Sequence, residues 1–286
     1  MKILGKTFAV VLGFAALAGL LAAAEPTEST GAPPPRLGSA VYRWEDLAVK
    51  PTPVGERRDV ANNPTPTFET FECHLSTLNP GKASHLPHTH AQEEVILVRE
   101  GTLEVMINGG VQRASPGSIL FFASNQPHSV RNVGTSPANY AVLNFATAET
   151  RRRRERSDAT LAPGQLVATV FDWDQLTAKP TKVGERRDVT DGPTATLKNF
   201  ECHVTTLLAG ESPHPAHHHP DEEFIVIKEG TLDVTINGHT QRAGRGSVVF
   251  YASGDEHGMK NIGDKPATYY VIRAVTDLTP KVAKGG

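Results

Sequence analysis

Along Leu103–Ile107 apolar residues alternate with polar or flexible ones, and Asn108-Gly109 follows at once. Strict alternation places the apolar side chains on one face of a half-buried strand, and Asn-Gly accepts the left-handed backbone of a two-residue hairpin turn. The same device returns at Leu232, Val234 and Ile236, followed by Asn237-Gly238. Shorter apolar runs, Glu94 to Val98 and Ile119 to Phe122, are bounded by Gly, Pro, Ser or Asn. Strands of that length at that spacing predict an all-β sandwich or barrel. Only Trp44 to Leu47, and Trp173 to Leu176, suggest short helical turns.

These patterns recur because the chain is one unit written twice. Val41-Tyr-Arg-Trp44 returns as Val170-Phe-Asp-Trp173, Val54 to Val60 as Val183 to Val189, and Phe71-Glu-Cys-His74 as Phe200 to His203, always shifted by 129. No insertion or deletion separates the copies between Trp44 and Thr147. A repeat of this length is a whole domain, beyond the 20–50-residue periods of solenoids. The expected organisation is a first domain over 39–148, a linker over 149–168 and a second domain over 169–278. The linker carries Arg151-Arg-Arg-Arg154, read as a solvated surface tract.

The N-terminus changes the picture of where the protein works. Lys2 and Lys6 precede an apolar stretch from Phe8 to Leu21, and Ala22-Ala-Ala24 precedes Glu25. A basic start, a short apolar run and a small-residue cleavage site are the parts of a secretory signal peptide, here residues 1–24. The run is shorter than the roughly 20 residues of a spanning helix. The expectation is therefore a periplasmic or secreted protein with no stable membrane anchor after cleavage, beginning with a Pro-rich, disordered lead-in over 25–38. The chain has 29 basic and 31 acidic residues, a balance that gives no electrostatic case for a nucleic-acid partner. Its two cysteines, Cys73 and Cys202, exclude a disulfide scaffold and are read as buried free thiols.

The twelve histidines carry the chemistry. In the first copy, His88, His90 and Glu94 share a strand face by even spacing, with Ile96 and Val98 continuing it as apolar lining. The second copy offers His217, His219 and Glu223, then Ile225 and Ile227. His128 and His257 follow at matching places downstream. Three imidazoles and one carboxylate per copy suit Mn, Fe, Co, Ni or Zn and leave coordination positions open.

The spacing G-x6-H-x-H-x3-E-x6-G, followed by G-x10-H-x3-N, resembles the two motifs of the cupin superfamily, and the resemblance covers both copies from about residue 38 to 278. It implies two tandem double-stranded β-helix (jelly-roll) barrels, a bicupin, distantly like the metal-dependent oxalate decarboxylases. It also implies the metal ligands His88, His90, Glu94 and His128, and His217, His219, Glu223 and His257. The pattern departs at Ala123 and Ala252, where Pro is common, and at Asn125, where Gly is usual. Cupins that have lost their metal usually show a substituted ligand, and neither copy does.

The resemblance implies a divalent metal in each barrel, with Mn or Fe preferred over Zn, Cu or Ni, although loading outside the cytoplasm favours Zn or Cu. His85 and His214, three residues before the first ligand, are the acid/base candidates. In oxalate decarboxylases an Arg near this place grips the substrate carboxylate, so His here makes oxalate a poorer fit while a small carboxylate or enol survives. His74 and His203 are read as structural, His218 as a surface residue, and Arg57-Arg58 with Arg186-Arg187 as an ion-pair network between the domains. Asn144 aligns with Arg273 and Phe122 with Tyr251, so the two pockets differ. Two functions follow: an exported metal-dependent oxygenase, decarboxylase, isomerase or hydrolase acting on a small molecule, or a non-catalytic binding or metal-sequestering protein. Homo-oligomerisation is open.

Overall fold

The computed structural model describes residues 34–281. The signal segment and most of the lead-in expected from the sequence lie outside the described residues. The first copy builds β1 (Ala40–Tyr42), β2 (Lys50–Thr52), β3 (Gly55–Asn63), β4 (Thr70–Leu78), β5 (Glu93–Glu100), β6 (Leu103–Ile107), β7 (Gly110–Ala114), β8 (Ile119–Phe122), β9 (His128–Asn132) and β10 (Ala138–Ala146). After a helix, α1 (Ala148–Arg156), the second copy builds β11 (Thr169–Phe171), β12 (Lys179–Thr181), β13 (Gly184–Gly192), β14 (Asn199–Leu207), β15 (Glu222–Glu229), β16 (Thr231–Ile236), β17 (His239–Gly244), β18 (Val248–Tyr251), β19 (His257–Asn261) and β20 (Ala267–Val275). The hairpins β6–β7 and β16–β17 turn at Asn108-Gly109 and Asn237-Gly238, all four residues at positive φ. That is the geometry the dipeptides favour.

Each copy is a β barrel made of a seven-stranded and a three-stranded antiparallel sheet. The larger sheets run β11-β8-β5-β10-β4-β3-β2 and β1-β18-β15-β20-β14-β13-β12. The two orders contain an exchange. β1 pairs with β18 of the second copy, and β11 pairs with β8 of the first. Each copy thus lends its opening strand to the large sheet of the other.

Strand alternation then sorts the side chains between two cores. From β4, Phe71, Cys73 and Leu75 join Val95, Leu97, Leu143 and Phe145 in a cluster that continues into Phe200, Cys202, Val204, Phe224 and Phe250 of the second copy. This cluster lies between the two large sheets. The opposite faces, with Ile96, Val98 and Phe122 in one barrel and Ile225, Ile227 and Tyr251 in the other, fill the barrel interiors. Each buried Phe, Leu or Ile contributes about 1.5–3 kcal/mol of apolar transfer. Cys73 and Cys202 are buried and free.

One expectation about charge is corrected. Arg57 pairs with Asp59 and Glu72 of its own barrel, and Arg58 donates to the Leu47 carbonyl while stacking on Trp44. Arg186 pairs with Asp188 and Glu201, and Arg187 caps Leu176 and lies over Trp173. Arg58 and Arg187 thus brace the short helical turns within each copy; among the described residues the ion pair that crosses between copies is Arg245–Glu100, at 2.8 Å. The four-arginine tract lies on a helix, with Arg151, Arg152 and Arg154 exposed as expected of a solvated surface tract and only Arg153 buried. Thr147 closes a capping box with Thr150, and Arg153 is buried, donating to Ser124 and to the Thr160 carbonyl.

Candidate metal centres

In each barrel the two chain segments that carry the first and last histidines meet by an isolated antiparallel bridge. His88 and His128 exchange backbone hydrogen bonds of 3.0 and 3.1 Å, and His217 and His257 exchange bonds of 3.0 and 2.8 Å. His88 and His90 thus sit in the segment leading into β5, not on a continuous strand with Glu94 as the even spacing suggested. The outcome is nonetheless one cluster per barrel. One ring nitrogen from each of His88, His90 and His128 lies within 4.8 Å of the others, and the same holds for His217, His219 and His257.

Backbone carbonyls orient these rings. His90 Nδ1 lies 2.9 Å from the Gln92 carbonyl, His219 Nδ1 2.9 Å from that of Asp221, and His128 Nδ1 and His257 Nδ1 each 2.9 Å from a carbonyl two residues earlier. A ring that donates Nδ1–H presents its Nε2 lone pair to the cluster. Phe122 stacks on His128 and Tyr251 on His257, with ring centres 4.2 and 4.1 Å apart. Burial pushes the His128 imidazolium down to about 4, and it lowers His257 as well, so both rings are neutral near pH 7.

The carboxylates stand at the edge of each cluster. Glu94 Oε2 is 3.5 Å from His90 Nε2, and Glu223 Oε2 is 3.1 Å from His219 Nε2. Burial alone would raise both carboxyls, but their histidine partners outweigh it and hold them below the ordinary range. Conversely, burial disfavours the charged form of His219, yet bonding to Asp221 and Glu223 lifts it to about 9.

The donor set fits a divalent metal. His128 Nε2 and His257 Nε2 are buried with no hydrogen-bond partner among the described residues, as are His88 Nδ1 and His217 Nδ1. Buried ring nitrogens left unpaired cost free energy, and a cation shared between them removes the cost.

His85 and His214 stand beside the first histidine of each cluster, with ring centres 5.0 Å from His88 and 4.2 Å from His217. His214 Nδ1 is also 3.0 Å from the Pro215 carbonyl. His74 and His203, read from the sequence as structural, line the cavities instead. Each is oriented by a carboxylate, with His74 Nδ1 2.8 Å from Glu72 Oε1 and His203 Nδ1 2.7 Å from Glu201 Oε1. The signal was available in the alternation of β4: if Phe71 and Cys73 face the core, Glu72 and His74 face the barrel lumen.

The cavity before the second cluster measures about 340 Å³ and is bordered by Arg186, His203, His214, Glu223 and Arg273. The one before the first measures about 460 Å³ and is bordered by Arg57, His74, His85, Asn144 and Arg154.

Both halves match the cupin domain family, over residues 74–144 and 203–273. The chain is a cupin protein with two tandem cupin domains, a bicupin. A curated relative, the tetracenomycin polyketide synthase protein TcmJ of Streptomyces glaucescens, is 30% identical over 98 residues, which is 34% of this chain and 63% of that protein, less than two thirds of its length. Among solved structures, AerE from Microcystis aeruginosa superimposes with a TM-score of 0.60 at 18% identity, over 80% of this chain and 98% of its own. Oxalate decarboxylase from Bacillus subtilis superimposes at 0.64 and 16% identity, over 85% and 78%. The Lactobacillus farciminis oxalate decarboxylase formate complex does so at 0.64 and 16%, over 85% and 88%. At these identities the likeness is one of fold.

Proposed function

We propose that this bicupin is an exported metal-dependent enzyme that acts on a small carboxylate or enol-containing molecule, with a three-His, one-Glu centre in each barrel. The observation that carries the reading is the pair of congruent histidine clusters in each of which two buried ring nitrogens, on His88 and His128 and on His217 and His257, lack a hydrogen-bond partner among the described residues. His88, His90, His128 and Glu94 would hold one cation, and His217, His219, His257 and Glu223 the other, with Mn or Fe preferred on the family resemblance. A bound divalent cation supplies Lewis acidity that stabilises developing negative charge on an oxygen.

The chain's own groups would do the rest. His85 and His214 stand beside the clusters as proton donors or acceptors. His74 and His203, each with Nδ1 tied to a carboxylate, present the other ring nitrogen towards the cavity, an arrangement that suits the same task. Apolar residues behind each cluster, such as Ile96 and Ile225, keep bulk water from its rear.

Elemental analysis of protein purified from its native compartment tests the reading, with two metals per chain expected. A correctly folded protein that carries no metal and takes none up on titration would exclude it. With metal bound, oxygen uptake or carbon dioxide release over a panel of small carboxylates and polyphenols identifies an enzyme. Ligand binding without turnover across that panel identifies a binding or sequestering protein. Export itself is tested by fractionation and by N-terminal sequencing, where a mature start at Glu25 is expected.

A further inference from the structure

The two cavities are copies of one another with a coupled exchange at their mouths. Gln92 and Asn144 of the first barrel become Asp221 and Arg273 in the second. Position 144 on β10 lies in register with Glu72 and Glu94, and position 273 on β20 with Glu201 and Glu223, so both flank the candidate metal-binding carboxylate.

In the first barrel Asn144 Nδ2 is spent on Glu72 Oε2, at 2.8 Å. In the second, Arg273 Nε donates to Asp221 Oδ2 at 2.6 Å and stands 4.0 Å from Glu223 Oε2. Its two terminal nitrogens make no hydrogen bond to protein among the described residues, and the side chain keeps 39% of its surface open at the edge of the 340 Å³ cavity. A guanidinium anchored through Nε presents its remaining N–H groups as a fixed fork, which matches a carboxylate bidentately.

Other cations do not make this distinction. Arg57 and Arg186 are repeat mates with the same partners in both barrels. Arg154 of α1 reaches the rim of the first cavity but is an exposed helix residue with no carboxylate fixing its orientation among the described residues.

We propose that the C-terminal cavity is the carboxylate-selective one of the pair. Arg273, held by Asp221, grips the carboxylate of a small acid next to Glu223, and the N-terminal cavity lacks such a grip. This assignment rests on the metal-centre reading above. It locates the fork on the last strand of the barrel, whereas the position three residues before the first ligand holds His214.

Isothermal titration of oxalate, malonate and succinate into the metal-loaded full chain tests it, with one carboxylate site per chain expected. Arg273→Asn, which installs the residue of the first copy, is expected to weaken binding at least tenfold. Arg273→Lys keeps the charge but not the fork and is expected to lose part of the affinity; it decides the matter if the Asn variant unfolds. Arg154→Ala is expected to bind within threefold of the wild type. Imidazole, a neutral metal ligand, is expected to bind Arg273→Asn as it binds the wild type, and the variant should retain its metal.

Two equivalent carboxylate sites per chain, or wild-type affinity in both Arg273 variants, would overturn the assignment while leaving the metal-centre reading intact. Loss of binding in Arg154→Ala alone would do the same. A wild-type chain that takes up no metal would overturn that reading and this inference with it.

Discussion

At the scale of single residues, the barrels differ most tellingly where the same task is done by two side chains. Phe122 and Tyr251 both stack flat on the last histidine of their cluster, but the Tyr251 hydroxyl is buried with no partner among the described residues. Burial pushes that phenol well above its usual range, so the hydroxyl stays neutral. An unmet buried hydroxyl costs about 1–3 kcal/mol. Tyr251→Phe is therefore expected to leave stability unchanged or raise it by about 1 kcal/mol, read as the midpoint of denaturant unfolding, and Phe122→Tyr to lower it. A large loss of stability in Tyr251→Phe would show that the hydroxyl is satisfied after all. The two histidine clusters were legible at this scale because each histidine repeats at identical spacing in both copies. His74 and His203 were passed over because the adjacent cysteine invited a structural reading. Their strand phase, fixed by Phe71 and Phe200 facing the core, sends the imidazoles the other way.

At the scale of elements, the exchange of β1 and β11 is locked by tryptophans. Trp44 donates its backbone N–H to Ser247 Oγ in the second barrel, and Trp173 donates to Ser118 Oγ in the first. Each indole packs where a glycine leaves room. A Cβ on Gly117 would stand 2.4 Å from the Trp173 ring, and the backbone there has φ +102, a conformation that side chains rarely adopt. Gly117→Val is expected to destabilise the fold by about 2–4 kcal/mol through combined overpacking and backbone strain. Gly109→Ala, at φ +84 but with open space around it, should cost only the backbone part. Comparing the two unfolding midpoints separates the contributions, and equal losses would mean that the tryptophan contact is unimportant. Alternation and Asn-Gly turns were enough to read the hairpins. The exchange was not legible, because a three-residue strand carries no mark of which copy's edge it joins.

At the scale of the whole molecule, the two barrels are joined by buried carboxyls placed next to the candidate metal-binding carboxylates Glu94 and Glu223. Glu222 accepts from Thr65 Oγ1 and from the Thr67 backbone N–H, and Glu93 accepts reciprocally from Thr194, Ala195 and Thr196. Desolvation by burial outweighs these bonds, raising Glu93 and lifting Glu222 to about 7. A carboxyl whose pKa is higher in the folded state than in the unfolded one stabilises the fold fully below the unfolded value. Its contribution is lost as pH rises through the folded value. Thermal stability is thus expected to decline between about pH 5 and pH 8, and Glu222→Gln, which stays neutral, should flatten the decline. A melting profile equally steep in the variant would show that another group governs it.

The sequence by itself determined the duplication, the β character, the hairpin turns and the positions of both histidine sets, because these follow from local periodicity and from residues repeated at fixed spacing. Only the tertiary structure decided which copy each opening strand serves and that Arg153 is buried under the first barrel. It also decided that Arg58 and Arg187 brace tryptophans, and Arg57 and Arg186 pair with carboxylates, within each copy rather than bridging the two. Those outcomes depend on partners more than 10 residues away along the chain and in several cases about 200 away, such as Trp44 and Ser247. Nothing in a local pattern records which distant surface will remove a side chain from water. The exchange of Asn144 for Arg273 stands between the two cases. It could be read from the aligned copies, but its chemistry emerged only when Asp221 was found holding the guanidinium at the mouth of one cavity.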